Sequence, residues 1–409
     1  MSLLLLNGIV KGMESVVKII NNIPVWGEPI DEGAMVQIEV CQKTAYKTAM
    51  MADHHLGYAV PIGGVVAYKD KISPSGVGFD IACGNMAVLT DVHYNEIKDH
   101  IPTLADEIFK QIAFGMGRKN EETVDHPLFE DESWKVVPSS IDKNTANRQL
   151  GTVGSGNHYV DIFKDVTDRV WVGVHFGSRG LGHKIATHFL KAGGAKDGIN
   201  VEPLVLDVNS TLGTEYLMAM ELAGKYAYAG REWVCGKACQ ILGTKIVDFV
   251  HNHHNFAWKE IHEGEELWVV RKGATPAFPG QRGFVGGSMG EISVILEGVD
   301  SEESKLSMYS TVHGAGRAMS RTAAKGRFVR DENGKKQRQP GLVRHDEMLR
   351  WIAEKNVCLR GAGVDEAPQC YKRIDEVLNH HKNSIKLIEV LTPLIVCMAG
   401  ENEVDPYKD

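Results

Sequence analysis

An α+β fold, in which mixed β-sheets are flanked by helices, is the fold class that the sequence predicts. Short apolar runs bounded by glycine are typical of strands, as at residues 170–176, 266–273 and 291–298. Helical periodicity is seen over residues 214–242 and 374–391. Strands and helices intermix without the regular rhythm of βαβ units, which favours mixed sheets over a doubly wound parallel sheet.

The chain has 409 residues, enough for one large domain or two ordinary ones. It contains no internal repeat and no low-complexity linker that would mark a boundary. We therefore expect one domain over residues 1–409, with a motif-bearing core over about residues 50–400 and an extra tail at 401–409.

Composition is that of a globular protein, with 43% hydrophobic and 24% charged residues. The leucines at residues 3–6 are too few for a signal-peptide core and follow no cationic region. Apolar runs all fall short of the roughly 20 residues that span a membrane, so we expect a cytoplasmic protein with no membrane partner. Seven cysteines thinly spread over this length do not indicate a disulfide framework.

The formal net charge of −8 argues against a protein that wraps nucleic acid through bulk electrostatics. Residues 317–344 nevertheless carry nine Lys or Arg against two acidic residues. This segment indicates either a local cationic surface or a solvated, partly mobile loop, and the sequence favours neither.

Several side chains of metal-ligand type occur in glycine-rich motifs. Asp80 and Cys83 lie three residues apart on a glycine-flanked turn, a spacing that lets a carboxylate and a thiolate share one cation. Imidazoles at His158, His175 and residues 253–254 add further ligands, a mixture that suits a first-row transition metal. More than four such ligands indicate two metals, as in phosphoryl chemistry. Each histidine alone is more often structural, and zinc and manganese both remain open.

Other cysteines and histidines have simpler explanations. Cys235 and Cys239 are four residues apart in a predicted helix, so core packing accounts for them. The histidines interpreted as surface residues of predicted helices are His183, His188, His380 and His381.

The stretch at residues 311–321 surrounds His313 with glycine and alanine and places Arg317 close behind. A neutral imidazole is a good nucleophile toward phosphorus once metals withdraw charge from the phosphate. Small neighbours would leave room for a triphosphate, and Arg317 could neutralise developing charge. A cap or turn histidine is the structural alternative.

Two short glycine loops, residues 177–180 and 286–290, resemble anion-binding nests, and Arg179 adds a bidentate fork to the first. Neither loop matches the P-loop or the dinucleotide-binding fingerprint. Nucleotide binding by these loops would therefore be of an uncommon kind.

Taken in order, the motifs resemble those of the RtcB-type RNA ligases. The stretches that carry the likeness are MADHHLGYAVPIGG, GFDIACGN, GTVGSGNHYVD, HFGSRGLG, HHN, RKGATPAFPGQ, GGSMG, HGAGRAMSR and EAPQCYKRID. The resemblance implies an enzyme that joins a 2′,3′-cyclic phosphate or 3′-phosphate RNA end to a 5′-hydroxyl end, in RNA repair or tRNA splicing. It also implies GTP and two Mn²⁺ ions as cofactors, and the family often uses a small activator protein, archease.

By motif match, the resemblance assigns one Mn²⁺ to Asp80, Cys83 and His158. Cys83 bridges to the second, which His175 and His254 complete. It makes His313 the residue that becomes guanylylated, places Arg179 near phosphates and includes Asp53 and His55 in the family's Asp-x-His-Leu-Gly segment. The residues expected to surround GTP are Asn157, His158, Tyr159, Val160, Asp161, His254, Asn255, Gly286, Gly287, Ser288, Met289, Ser293, His313, Gly314, Ala315, Gly316 and Tyr371, the last near the guanine.

Three positions depart from the family pattern. Ala399 stands where the family has a lysine that contacts guanine, Gly286 replaces a proline, and residues 79–86 diverge from the commoner form. A buried lysine-to-guanine hydrogen bond is worth roughly 1.5–3 kcal/mol, so its loss would relax nucleotide choice by about one to two orders of magnitude. Lys408 or another donor in the tail could compensate.

Two other functions fit the same residues. One is a paralogue that guanylylates or caps a different nucleic-acid end. The other is a dinuclear metallophosphoesterase in which His313 is a general acid and never becomes covalently modified. A non-catalytic RNA-binding descendant is least favoured, because none of the expected ligands is missing.

Overall fold

Two large β-sheets with helices packed against them form the centre of the protein. The structure is a computed structural model that describes residues 17–121, 123–196, 198–330, 336–401 and 403. The leucines at 3–6, and all of the tail at 401–409 except residues 401 and 403, lie outside these ranges. Each large sheet contains one parallel pair among antiparallel ones. The predicted α+β class with mixed sheets is confirmed.

The elements below are those within the described residues. The strands are β1 (Lys18–Ile20), β2 (Ile23–Val25), β3 (Lys47–His55), β4 (Ile62–Tyr68), β5 (Lys71–Ile72), β6 (Gly84–His93), β7 (Tyr159–Lys164), β8 (Arg169–Phe176), β9 (Leu206–Asp207), β10 (Ile246–His253), β11 (Asn255–His262), β12 (Glu265–Lys272), β13 (Ala274–Pro276), β14 (Arg282–Val285), β15 (Ser293–Gly298), β16 (Ser310–Val312), β17 (Gly326–Arg330), β18 (Lys336–Pro340), β19 (Cys358–Ala362) and β20 (Ile385–Gly400). The α-helices are α1 (Glu32–Gln42), α2 (Pro74–Val77), α3 (Tyr94–Ile97), α4 (Ile101–Gln111), α5 (Lys143–Gln149), α6 (Arg179–Ala192), α7 (Thr211–Leu242), α8 (Glu302–Leu306), α9 (Arg321–Lys325), α10 (His345–Glu354) and α11 (Ile374–Asn379).

The register of the eight-stranded sheet brings several predicted ligands to one edge. The six-stranded sheet has the order β1-β2-β3-β4-β12-β11, and the eight-stranded sheet follows β10-β6-β8-β7-β20-β15-β14, with β19 beside β20. Gly84 pairs with Phe176 on one side and with His253 on the other. His175 pairs with Tyr159. Residues just before β6 and β7, at the end of β8 and just after β10 therefore meet.

Helix α7 is the long helix that the sequence predicts, and it begins three residues earlier. Ser210 caps it by accepting a hydrogen bond from the Gly213 backbone N–H. Gly243 ends it in the left-handed conformation, with φ of 69°, which favours glycine. Cys235 and Cys239 are buried in the core against the eight-stranded sheet, so the core-packing prediction is confirmed.

The three predicted strands are confirmed as β8, β12 and β15. By contrast, the predicted helix over residues 374–391 is wrong. Helix α11 stops at Asn379, and the 16-residue strand β20 begins at Ile385. Because β20 pairs with β7 on one side and β15 on the other, cross-strand packing in the sheet overrides the local helical pattern.

Two of the histidines interpreted as surface residues pack their rings against aromatic side chains, and His380 is half-buried. His381 is fully buried, where its Nε2 accepts a hydrogen bond from the Ala52 N–H at 3.2 Å and its ring stacks on Trp26. His183 is half-buried and stacks on Phe79. The reason in both cases is tertiary packing, which no local pattern shows.

The cationic segment forms a β-hairpin in part. Strands β17 and β18 pair antiparallel, and residues 331–335 between them lie outside the described ranges. In the part of the chain that the structure describes, none of the helices is both long enough and apolar enough to cross a membrane.

Candidate active site

Five side chains from four segments of the chain converge on one cluster. Donor atoms of Cys83, His175 and His254 all lie within 4.8 Å of one another, and so do those of Asp80, Cys83 and His158. The Cys83 Sγ lies 3.3 Å from the His175 Nε2 and 3.6 Å from the His158 Nε2. Cys83 belongs to both groups, so its thiolate could bridge two cations.

The edge of the sheet permits this convergence because β6 and β10 approach very closely. At Gly84 an added Cβ would lie 2.3 Å from the Asn252 carbonyl oxygen, so a larger residue would force the strands apart. The backbone N–H groups of His254 and Asn255 both donate to the Cys83 carbonyl. Two ligand-bearing segments are thus held together directly by backbone hydrogen bonds.

The chemistry of the cluster fits divalent transition-metal ions. Burial lowers the pKa of His175 and His254 well below the ordinary value, so both rings are neutral and offer lone pairs. The His254 Nδ1 is buried and has no hydrogen-bond partner, which is costly unless something binds it. Thiolate, imidazole and carboxylate donors suit Mn²⁺ or Zn²⁺.

The pKa values of the two acidic ligands, Cys83 and Asp80, are shifted in opposite directions. Burial and the neighbouring Asp80 carboxylate raise the pKa of the Cys83 thiol well above its usual value. Burial also acts to raise the pKa of Asp80, but His158 and Arg179 outweigh it and hold that pKa at about 2. Asp80 is therefore ionised, whereas Cys83 would lose its proton when a cation binds.

His313 lies beside the cluster and is held by a buried carboxylate. Its ring centroid is 4.8 Å from that of His254. Asp53 Oδ2 accepts hydrogen bonds from the His313 Nδ1 at 2.6 Å and from its backbone N–H at 2.9 Å. Burial opposes ionisation of Asp53, yet His313 and Lys372 keep its pKa below the ordinary value. The carboxylate favours the tautomer with a proton on Nδ1, which leaves the lone pair on Nε2.

One cavity of about 1340 Å³ contains most of the predicted site residues. Those that line it are Asp80, Cys83, Asn157, Tyr159, Asp161, His175, His254, Asn255, Gly286, Gly287, Ser288, Met289, His313, Gly314, Ala315, Gly316 and Tyr371. Buried oxygens of Tyr159 and Asp161 lack a partner there, as a polar ligand site requires. Burial raises the pKa of Asp161 well above its usual value.

Five predicted residues lie behind the cavity wall. Asp53 contacts His313, which lines the cavity, and His158 belongs to the metal-ligand cluster. The Arg179 Nη1 contacts the His158 Nδ1 at 3.2 Å. Ser293 accepts a hydrogen bond from the Gly287 N–H at 3.2 Å and so fixes the glycine loop. Val160 packs into the core on the opposite face of β7.

The Arg317 guanidinium contacts other residues of the protein, whereas the sequence analysis assigned it to a phosphate. It donates to the Tyr371 hydroxyl at 2.9 Å and to the Asp365 carbonyl at 2.7 Å, and pairs with the buried Glu366. It also lies over the Tyr371 ring, 5.0 Å from the centroid. Arg317 therefore positions Tyr371, the residue expected near the base.

The departures at positions 286 and 399 have structural consequences. An added Cβ at Gly286 would lie 2.2 Å from the Tyr159 hydroxyl, so the family's proline would require the Tyr159 side chain to move. Ala399 packs into the core, while Val396 and Met398 line the cavity. The described part of β20 thus presents apolar side chains to the site, and Lys408 lies outside the described residues.

Two basic residues that support the site were missed by the sequence analysis. Arg231 is fully buried and donates to the carbonyls of Ala82 and Phe176, at 3.0 and 2.6 Å, and to the His253 Nδ1 at 2.8 Å. The three acceptors are chain neighbours of Cys83, His175 and His254, respectively. An arginine among the apolar residues of a long predicted helix was the available signal.

Lys372 is the second such residue. Its Nζ donates to the carbonyls of Ala52 and His54, at 3.0 and 2.9 Å, and so holds the backbone on both sides of Asp53. Lys372 lies in the EAPQCYKRID stretch that carries the family resemblance, but the local sequence does not indicate which groups this lysine binds.

An α+β fold with five converging metal-ligand side chains beside a carboxylate-held histidine defines a candidate metalloenzyme. The sequence model of the family described as tRNA-splicing ligase RtcB matches residues 35–142 and 130–399. The chain belongs to the RtcB family.

Named relatives cover most of the chain. RNA-splicing ligase RtcB of Escherichia coli strain K12 is 33% identical, over 91% of this chain and 96% of the relative. RNA-splicing ligase RtcB1 of Escherichia coli strain ATCC 25922 is 32% identical over the same shares. tRNA-splicing ligase RtcB of Thermococcus kodakarensis is 30% identical, over 84% of this chain and 86% of the relative.

Proposed function

We propose that this RtcB-family protein is a GTP- and Mn²⁺-dependent RNA ligase acting in RNA repair or tRNA splicing. It joins a 2′,3′-cyclic phosphate or 3′-phosphate end to a 5′-hydroxyl end through a guanylylated histidine. Family membership and the names of the relatives support RNA ligation. The observation that carries the mechanism is the Asp53-held His313 next to the Cys83 cluster.

In the first step, the His313 Nε2 lone pair attacks the α-phosphorus of GTP. An N–P bond forms, the bond to the β-phosphate oxygen breaks, and pyrophosphate leaves with the bonding electrons. Asp53 retains the Nδ1 proton in a hydrogen bond and stabilises the positive charge that develops on the ring.

The five-residue cluster would hold the metal ions for this step. Asp80, Cys83 and His158 would bind one, and Cys83, His175 and His254 the other. Bound there, the metals would withdraw charge from the phosphates. Arg179 contacts His158 from behind the cavity wall and so holds this ligand's ring in place.

A 2′,3′-cyclic phosphate end would first be opened by water, which breaks the bond from phosphorus to the 2′-oxygen and leaves a 3′-phosphate. In the second step, an oxygen of the RNA 3′-phosphate attacks the phosphorus on His313, and the Nε2 leaves with its lone pair restored. The RNA end then carries GMP through a phosphoanhydride. In the third step, the 5′-hydroxyl attacks the RNA phosphorus, forms the phosphodiester and expels GMP.

The base-binding part of the cavity is where nucleotide choice is decided. Tyr371, held by Arg317, supplies an aromatic surface there, whereas Met398 and Val396 on β20 are apolar. Without the family lysine, discrimination between GTP and ATP is expected to be weaker than the family pattern implies.

The test is covalent labelling with GTP carrying radioactive phosphorus at the α-position, in the presence of Mn²⁺. The wild type should carry an acid-labile, alkali-stable label, as a histidine phosphoramidate does. His313→Ala should carry none, while His188→Ala, which removes an exposed histidine outside the cavity, should label normally.

Each other outcome contradicts a specific part of the proposal. Label on His313→Ala would mean that another residue is the nucleophile. Absence of label on the wild type, together with hydrolysis of a phosphodiester, would favour the metallophosphoesterase. RNA ligation assays with and without archease would test the activator, which remains a prediction, as does a cytoplasmic location.

A further inference from the structure

Three aromatic rings form a continuous ledge on the wall of the cavity. The rings of Tyr58 and Phe79 meet edge to face with centroids 6.0 Å apart. Phe79 in turn stacks on His183, with centroids 5.3 Å apart and planes 25° from parallel. All three residues line the same cavity as His313. We call these residues the aromatic ledge.

Exposed apolar side chains lie beside the ledge. Tyr58 is 41% exposed, and the nearby cavity residues Leu56 and Ile199 are 42% and 44% exposed. A cluster of exposed apolar side chains at a cavity marks a binding surface more often than a solvated one. Phe79 is half-buried, so the ledge offers ring surface rather than a mobile side chain.

The backbone beneath the ledge is fixed. The Gln37 side chain donates to the carbonyls of Gly57 and Ile199, at 2.6 and 2.7 Å, and joins the two apolar segments. The Lys272 Nζ donates to the Tyr58 carbonyl at 2.6 Å. Because Gln37 is buried, these contacts belong to a preformed surface.

The ledge is also connected to the reacting groups. Phe79 directly precedes the cluster residue Asp80. Lys272, which holds Tyr58, directly precedes Gly273, where an added Cβ would lie 3.1 Å from the His313 Cε1. A ligand on the ledge would therefore extend toward both the metal cluster and the proposed nucleophile.

The ledge is distinct from the wall that the sequence analysis assigns to GTP. Phe79 packs against the core cluster that contains Ile81 and Leu181, whereas Tyr371 packs against the one that contains Met289 and Met348. At about 1340 Å³, the cavity exceeds the roughly 300–1,000 Å³ of ordinary small-molecule sites. Space for a second ligand is thus available beside a nucleotide.

We propose that the aromatic ledge of Tyr58, Phe79 and His183 binds an unpaired nucleobase of the RNA strand whose end enters the site. Aromatic side chains bind single-stranded nucleic acid by stacking, because every base has a π-face. Stacking would hold the terminal nucleotide of the 5′-hydroxyl strand while that hydroxyl reaches toward the cluster and His313. The inference rests on the proposed RNA ligase function and adds the site that holds its second substrate.

The experiment measures binding of a short single-stranded oligoribonucleotide with a 5′-hydroxyl, fluorescently labelled at its other end, by anisotropy without nucleotide. A matched oligoribonucleotide has an abasic terminal residue. Tyr58→Ala and His183→Ala should each weaken binding of the intact strand by about 10-fold. Neither should weaken binding of the abasic strand, which has no terminal base to stack.

Two controls separate stacking from other effects. Tyr58→Phe keeps the ring and should bind both strands as the wild type does. Phe249→Ala removes an aromatic side chain that is 55% exposed but does not line the cavity, and it should leave binding unchanged. Thermal unfolding of every variant verifies that the fold persists.

Equal losses for the intact and the abasic strands would overturn the proposal, and so would no loss for either. These results are distinguishable from failure of the proposed function, because guanylylation is measured separately on the wild type. A wild type that labels on His313 but shows no abasic difference contradicts the ledge alone. A wild type that never labels contradicts the covalent mechanism, whatever the binding result.

Discussion

Asp53 holds His313 through both its ring and its backbone. One carboxylate oxygen, Oδ2, accepts from the His313 Nδ1 and N–H and lies 3.3 Å from the Gly314 nitrogen. Asp53 is fully buried, and Lys372 fixes the backbone on either side of it. One side chain thus fixes the position and the tautomer of the proposed nucleophile.

Replacing Asp53 by asparagine should slow guanylylation far more than it weakens nucleotide binding. An amide can donate to Nδ1, which would shift the ring proton to Nε2 and remove the attacking lone pair. We expect the rate of labelling of Asp53→Asn to fall by about 10²–10⁴-fold. The measurement is the time course of label incorporation at saturating GTP, with circular dichroism to verify folding. An unchanged rate would reduce Asp53 to a structural role.

Arg231 is expected to position the metal ligands without touching the metals. Arg231→Lys keeps the charge but loses the fork that binds Ala82, Phe176 and His253 together. We expect Mn²⁺ affinity to fall by about 10–100-fold, because residues behind the ligands set their orientation. Titration calorimetry with Mn²⁺ alone measures this independently of activity.

The matched control for Arg231 is Arg282→Lys, which alters a partly exposed ion pair with Asp248 away from the cluster. Its Mn²⁺ affinity should equal that of the wild type. If Arg231→Lys lowers the melting temperature but binds Mn²⁺ normally, Arg231 supports the fold rather than the ligands.

Much of the site could be predicted from the sequence because its chemistry is carried by short motifs. Asp80 and Cys83 share one turn. His313 is surrounded by small residues, whereas a histidine packed in a core would have bulky neighbours. Strands such as β8 were predictable because their apolar runs end in glycine. The register that brings Cys83 to His175 and His254 is a property of the whole sheet, so only the family resemblance anticipated it.

The sequence predictions that were wrong or missing have a common physical cause, which is contact between segments that are distant in the chain. Strand β20 has a helical pattern locally, yet pairing on both sides fixes it as a strand. His381 and His183 are buried or half-buried by rings contributed from far along the chain. Arg231 satisfies its guanidinium through carbonyls of two other segments, and a single helix gives no sign of such acceptors.

Loss of Cys83 should empty both metal positions, because its sulfur belongs to both groups of donors. Cys83→Ala, purified and dialysed against Mn²⁺, should retain little bound metal by elemental analysis, whereas the wild type should retain about two ions per chain. Cys358→Ala, at a half-buried cysteine outside the cluster, should retain as much as the wild type. Wild-type metal content in Cys83→Ala would assign this cysteine to packing alone.

Burial of His381 should make the protein less stable as the pH falls. Burial lowers the pKa of His381 from 6.5 to about 3, although Asp53 acts in the opposite direction and His380 adds to the lowering. As the pH drops below about 6.5, the unfolded chain takes up a proton at this position and the folded protein does not. The stability that the neutral His381 contributes is therefore fully present above pH 6.5, and it is lost progressively as the pH falls toward 3.

His381→Gln tests this, because its side-chain oxygen can still accept from the Ala52 N–H but does not titrate. Between pH 7.5 and pH 5, the free energy of unfolding of the wild type should fall by about 2 kcal/mol more than that of the variant. Urea unfolding at the two pH values gives the comparison, and His188→Gln, at an exposed histidine, should keep the wild-type dependence. Identical pH dependence in wild type and His381→Gln would mean that His381 is protonated in the folded protein at pH 5. The Ala52 N–H would then face an imidazolium donor, contrary to the buried neutral ring described above.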